Sequence, residues 1–316
     1  MSDSELGAVV TDFASNAGLR AKAGLRLVRD VLGATDWVHG PGDDAAAIPC
    51  GDDYVLVAGE AVHPPFVAAD PRGAGVAAVV ANVNDIAAMG GRPLGIVDQV
   101  VAPEDVARAA LEGIAAAARC YGVPVVGGHL TARRSEPFLA ASIVGRARTL
   151  LSCRRVAPGQ RLLAAFALEG HLREDFPFFS TLEGRADALA DDVAVLAQVA
   201  ESGACLAAKD VSMAGTLGSL AMLLEPSMSG ASVDLAAIPR PPDVALRRWL
   251  GAYPSFGFIL CCPPERAEDC RRAFARRGLA CEAIGAVEAE GALTVRLGSE
   301  RATLMDLARD KVTFLS

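Results

Sequence analysis

Apolar residues fill this chain in blocks whose spacing switches between helical and strand-like periods, and glycine, proline and acidic residues separate the blocks. Residues 6–32 read as helical, with Gly33 as the stop. A short β-rich run follows at 54–58. His63-Pro64-Pro65 is expected to be extended or turning, since proline forbids continuation of a helix. Asp70-Pro71 opens a predicted helix that runs to Met89 and ends at Gly90-Gly91. Residues 96–101 predict a strand, and Pro103-Glu104-Asp105 starts a helix lasting to Arg119. Residues 123–126 predict a buried strand ending in Gly127-Gly128-His129, and 138–144 predict another strand.

The character changes at 154–159, a turn-rich stretch that marks a domain junction. Beyond it come a strand at 161–167, a helix at 184–201, and a segment at 209–215 that opens a helix through Leu224. A strand at 256–261, a helix at 263–277 stopped by Gly278, and strand-like runs at 279–287 and 292–297 complete the pattern. The alternation predicts a mixed α/β (α+β) protein of two domains, 1–150 and 151–316.

Four polar islands interrupt the apolar background: Gly42-Asp43-Asp44, Asn82 to Asp85, Gly127-Gly128-His129, and Lys209-Asp210 with Ser212. Each falls at the end of an element or on an otherwise apolar helix. Free backbone N–H groups at such ends are available to phosphate. Asn82 and Asp85 are three residues apart, a spacing that places them on one helix face. Adjacent carboxylates such as Asp43 and Asp44 repel unless a cation or several donors hold them. A hard divalent ion carrying a nucleotide's phosphates is the natural partner. There is no G-x-x-x-x-G-K-[ST] loop, no G-x-G-x-x-G with a following ribose-binding acid, and no G-x-S-x-G elbow.

Composition narrows the reading further. Hydrophobic residues make up 52% of the 316, enough for a large core, and a net charge of −8 argues against a general nucleic-acid or anionic-membrane binder. No apolar run reaches membrane-spanning length and no signal-type segment opens the chain, so a cytoplasmic protein is expected. The eight cysteines form no C-x-x-C pair, which predicts reduced core thiols. Lysine occurs only at Lys22, Lys209 and Lys311, which singles out Lys209 beside Asp210.

With these residues in view, the chain resembles the superfamily of aminoimidazole ribonucleotide (AIR) synthetase, thiamine-monophosphate kinase, selenophosphate synthetase and the hydrogenase maturation dehydratase. Gly42-Asp43-Asp44-Ala45-Ala46 is similar to that family's G-D-D-A-A. The stretch from Asn82 through Asp85-Ile86-Ala87-Ala88-Met89-Gly90-Gly91 to Pro93-Leu94 is similar to its N-x-S-D-I-A-A-M-G-G-x-P-L block. Gly127-Gly128-His129 resembles the central Gly-Gly loop, and Lys209-Asp210-Val211-Ser212 the (S/T)-D-(I/V)-(S/T) block.

The resemblance implies an N-terminal domain whose strands build a β-barrel across a homodimer interface, a C-terminal α/β domain, and ATP in the cleft between domains. It implies Mg²⁺ held by Asp43, Asp44, Asp85 and Asp210, and catalytic roles for Asp43, Asp85, Asp210 and Lys209. Asn82, Gly127, Gly128 and His129 would contact the nucleotide. The implied activity is ATP- and Mg²⁺-dependent phosphoryl transfer to a small-molecule acceptor, nearest to thiamine-monophosphate kinase. The alternatives are a selenophosphate-synthetase-like dikinase and a catalytically idle nucleotide-binding scaffold. Four positions depart from the kinase pattern: His129 and Met213 stand where the family has Asp, Lys209 where it has Ser, and Glu60 where it has Asp.

Overall fold

The computed structural model describes residues 4–33, 42–133 and 136–315, so His39, Gly40 and Pro41 lie outside the described residues. The first segment is α1 (Glu5–Ser15) followed by a second helical run made of α2 (Ala17–Ala21), a 3-10 turn at Lys22–Leu25 and α3 (Arg26–Leu32), in place of the single helix expected at 6–32. Asn16 makes the break. Its backbone is extended and its side chain accepts the N–H of Leu19, so it caps α2 and cannot continue α1. Gly33 does stop the run, at φ +78°.

The next elements are β1 (Ala46–Cys50), β2 (Asp53–Ala61), α4 (Pro64–Ala69), α5 (Pro71–Ala88), β3 (Arg92–Ala102), α6 (Glu104–Cys120), β4 (Val125–Ala132) and β5 (Phe138–Ala147). The extended stretch expected at His63-Pro64-Pro65 is the start of α4. Its prolines occupy the first helical turn, where no intrahelical N–H bond is lost. The strands form one five-stranded sheet in the order β1-β2-β5-β3-β4, with β3 and β4 parallel around α6.

One face of that sheet is the core. Leu56, Ile96, Val100, Leu139 and Ile143 are buried beneath α5 and α6, each contributing on the order of 1.5–3 kcal/mol by leaving water. The helices approach closely through two glycines. A Cβ on Gly75 would overlap the Ala110 carbonyl, and one on Gly113 the Arg72 carbonyl. The opposite face is bare: Ile48, Val57, Leu94, Val126 and Val144 are exposed there. The strand expected to be buried at 123–126 therefore differs. It begins at Val125, is the exposed edge strand, and runs straight through Gly127, Gly128 and His129.

The remaining elements are β6 (Arg161–Phe166), β7 (His171–Leu172), β8 (Phe178–Ser180), α7 (Leu182–Arg185), α8 (Leu189–Glu201), β9 (Ala207–Asp210), α9 (Gly215–Leu224), β10 (Gly230–Asp234), α10 (Leu246–Leu250), β11 (Tyr253–Pro254), β12 (Gly257–Cys262), α11 (Ala267–Ala275), β13 (Ala280–Glu288), β14 (Ala292–Leu297) and β15 (Glu300–Asp306). A seven-stranded sheet runs β15-β14-β10-β13-β6-β12-β9, and β11-β8-β7 form a small separate sheet. Helix α5 is buried along nearly its whole length because it lies on the first sheet and also touches β9 and α8. The amino-terminal helices pack on this second half, α1 against β15 and α10 and α2 against α9. Among the described residues, no helix is long and apolar enough to cross a membrane.

Candidate active site

Helix α5 and strand β9 converge on a cavity of about 340 Å³, and most of the polar islands meet there. Asp85 reaches it from the buried interior of α5. Lys209 and Asp210 reach it from the end of β9, an edge strand whose last residue leads into α9. Asp43 and Asp44 line it from the turn before β1, and Glu60 from β2.

The two acids of the Gly-Asp-Asp turn are held differently. Asp43 faces the junction between the halves. Its Oδ2 accepts the Ser152 hydroxyl and its Oδ1 the Cys153 N–H, both at 2.7 Å. Asp44 faces β9: Oδ1 accepts from Lys209 Nζ, and Oδ2 accepts the Asp210 N–H at 3.1 Å. One carboxylate oxygen each from Asp44, Asp85 and Asp210 lie within 4.8 Å of one another. Among the described residues no hydrogen bond reaches the Asp85 carboxylate, although Asp85 is only 7% exposed.

The electrostatics follow from this crowding. Burial, and then repulsion from Asp210, Asp44 and Glu60, push the Asp85 carboxyl well above the ordinary range, with Lys209 opposing. Burial and then Asp44 push Asp210 up to about 7. Burial raises Glu60 and Asp43 too; Lys22 opposes at Glu60, and the Cys153 and Ser152 hydrogen bonds oppose at Asp43. Burial alone would lower the Lys209 pKa, but the carboxylates of Asp44 and Asp210 outweigh it and the ammonium is stabilised. Clustered, desolvated carboxylates short of donors are suited to a hard divalent cation, whose ligands are carboxylate oxygens. The donor set fits Mg²⁺.

Other expected residues lie elsewhere. Asn82 is fully buried and donates to the carbonyls of Ala78 and Ala141, at 2.8 and 3.3 Å, tying α5 to β5; it does not line the cavity. Gly127, Gly128 and His129 are on exposed β4, where His129 Nε2 meets Thr131 Oγ1 at 3.1 Å. They do not line the cavity of this chain.

The structure also adds residues that the sequence did not single out. Asn84 lines the cavity, donates to Ser255 O at 3.2 Å and has a buried Oδ1 that meets no partner among the described residues. Its only sequence signal is its place beside Asp85 in the polar stretch of α5. Lys22 lines the cavity from the amino-terminal arm. An aromatic wall completes it: Phe66 stacks on Phe176 at 4.3 Å, and Phe176 meets the Tyr253 ring edge-on at 5.5 Å. No sequence spacing links three aromatics from such distant segments.

Residues 42–147 match the family model described as the AIR synthase related protein, N-terminal domain, and residues 162–298 match the corresponding C-terminal domain. The Synechocystis protein sll0787 is 37% identical over 275 residues, which cover 86% of this chain and 85% of that protein. T. maritima PurL complexed with ATP shares the fold with a TM-score of 0.78 at 20% identity over 96% of this chain, which spans about half (52%) of that PurL chain. AaThiL complexed with AMPPCP and TMP matches with a TM-score of 0.66 at 16% identity, over 88% of this chain and 93% of its own.

Proposed function

The chain belongs to the AIR synthase-related proteins, and we propose that it binds ATP with Mg²⁺ in the cavity between its sheets and transfers a phosphoryl group to a small-molecule acceptor. The observation that carries this reading is the convergence of Asp44, Asp85 and Asp210, with Asp85 buried and, among the described residues, reached by no hydrogen-bond donor. The fold-mates solved with ATP and with AMPPCP support a nucleotide as the ligand. AaThiL, solved with AMPPCP and TMP, is the better template for a nucleotide-plus-acceptor site, because this chain spans most of AaThiL but only half of PurL.

In this reading Asp85 and Asp210, with Asp44 beside them, hold the metal. A magnesium ion held by these residues would supply positive charge against the phosphoryl oxygens. Lys22 adds a cation at the cavity wall, Asn84 Oδ1 accepts a donor from the bound molecule, and Phe66, Phe176 and Tyr253 exclude water from the acceptor's side. Asp43 fixes the turn on which Asp44 rides through Ser152 and Cys153.

The assembly proposed is a homodimer. The bare apolar face of the five-stranded sheet supports it: two such faces packed together bury Val57, Leu94, Val126 and Val144 and build a barrel from two open sheets. Gly127-Gly128-His129, on the edge strand β4, then stands at the subunit interface.

Calorimetry with ATP, with and without Mg²⁺, tests the reading. Magnesium-dependent binding is expected, and Asp85→Asn should weaken it at least tenfold. Binding that ignores Mg²⁺, or Asp85→Asn at wild-type affinity, overturns the assignment. Where ATP binds, nucleotide turnover with thiamine monophosphate, selenide or a metabolite panel assigns the acceptor. Binding with no turnover against any of them favours the idle scaffold.

A further inference from the structure

Lys209 stands inside the carboxylate cluster. It is 8% exposed, its Nζ donates to Asp44 Oδ1, and the same Nζ is 3.9 Å from Asp210 Oδ1. The other oxygen of Asp44 accepts the Asp210 N–H, so both Asp44 oxygens are taken by donors within the chain. Asp43 is likewise satisfied at both oxygens by Ser152 and Cys153. Asp85 and Asp210 are different. Among the described residues no hydrogen bond reaches either carboxylate, both are at least nine-tenths buried, and both line the cavity. Of the four acids expected to bind metal, two are therefore held by hydrogen bonds at both oxygens, whereas Asp85 has none and Asp210 has only the 3.9 Å ion pair with Lys209.

A carboxylate hydrogen-bonded at both oxygens and one without such bonds do not offer a divalent ion the same thing. Mg²⁺ and Mn²⁺ need oxygens whose lone pairs are available, whereas a lysine ammonium is a compact charge that brings its own three donors. A second divalent ion at Asp44 would have to displace Lys209 and leave a buried ammonium without its hydrogen-bonded partner, which is strongly unfavourable. We propose that Lys209 is a built-in cation that substitutes for one metal ion, so that the chain binds a single divalent ion, between Asp85 and Asp210. The inference rests on the metal–nucleotide reading of the cavity. It goes beyond that reading by fixing the metal count and by removing Asp44 from the ligand set of this chain.

Mn²⁺ is the probe, counted from its free-ion paramagnetic resonance signal on the full chain without nucleotide. The expected result is one Mn²⁺ per chain for the wild type, two for Lys209→Met, and one for Lys209→Arg, which keeps the charge. Asp44→Asn should still bind one, because Asp44 is already engaged, whereas Asp85→Asn should lose it. Two Mn²⁺ or none on the wild type, one on both wild type and Lys209→Met, or loss of the ion in Asp44→Asn overturns the inference. The wild-type and Asp44→Asn counts decide the matter even if Lys209→Met does not fold. ATP titrations on the same samples keep the two readings apart. Two Mn²⁺ with intact magnesium-dependent ATP binding overturn only the inference, and absent ATP binding overturns the proposed function.

Discussion

Asp210 is a carboxyl whose ionisation works against the fold when no metal is bound. Burial and the neighbouring Asp44 push it to about 7, against an ordinary value of 3.8. A group whose folded pKa is raised favours the folded state while protonated. Its contribution is whole below the ordinary value and disappears as pH climbs from there to about 7. In EDTA, Asp210→Asn should therefore melt above the wild type at pH 8, by on the order of 5 °C, with the gap closing as pH falls towards 4. Added Mg²⁺ should reverse the order at pH 8, since only the wild type keeps the ligand. Thermal melts across pH check both signs; a gap independent of pH overturns the burial account. At this scale the sequence was partly legible. The acids stood out as polar islands because an apolar chain tolerates charge only where something offsets it. What each acid touches was not legible: that Asp43 is tied to Ser152 and Cys153 depends on a junction more than a hundred residues away. That Asn84 and not Asn82 lines the cavity was not legible for a similar cause. Helix α5 is buried on several faces, so periodicity could not tell the face under β5 from the face on the cavity.

Among the elements, long and strongly patterned ones could be read and short or atypical ones could not. Helices α5 and α6 and strands β3 and β5 lie close to where their patterns place them. Strand β1, Ala-Ala-Ile-Pro-Cys, carries weak strand formers and a proline that only an edge position accepts. β15 is mostly polar, and β7, β8 and β11 are two or three residues long. The α5–α6 contact was also invisible in the sequence, because it depends on glycines that helix propensity alone disfavours by about 1 kcal/mol each. Gly75→Ala tests whether close approach outweighs that penalty. Its Cβ would overlap the Ala110 carbonyl and stand 2.9 Å from the Ile114 nitrogen, and both are backbone atoms that cannot swing aside. Overpacking of this kind costs about 1–3 kcal/mol or more, above the propensity gain. Gly75→Ala should lower the melting temperature by several degrees. Gly24→Ala, at a site with nothing within 4 Å, should leave it unchanged or slightly raised. Equal melting temperatures for the two variants would show that α5 and α6 adjust freely.

For the whole molecule, charge and surface apolarity lead in different directions, and only the apolar face points to a partner. A net charge of −8 disfavours polyanions as partners and gives no preference for another copy of the chain. The outer face of the five-stranded sheet does give one. Val126 is 65% exposed and Leu94 53%, with Val57 and Val144 adjoining them, so four branched aliphatics form one patch on a sheet whose edges, β1 and β4, are open. Such a patch is costly in water, and a self-complementary sheet face is what a two-fold dimer requires. The wild type is therefore expected to sediment at twice its 32.6 kDa chain mass at micromolar concentration. Val126→Glu combined with Leu94→Glu buries two like charges per subunit at the centre of that contact, and like charges there repel without compensation. The double variant should sediment as a monomer. It should also retain its fold by circular dichroism, because neither side chain contributes to the core beneath α5 and α6. Because His129 and its glycines lie on β4 and not in this chain's own cavity, nucleotide affinity gives a second readout. If the Gly-Gly-His segment reaches the nucleotide only across the interface, the monomeric variant should lose ATP affinity together with its mass. A monomeric variant that binds ATP as tightly as the wild type would confine the nucleotide site to one chain, and a wild type that sediments as a monomer would remove the proposed barrel altogether.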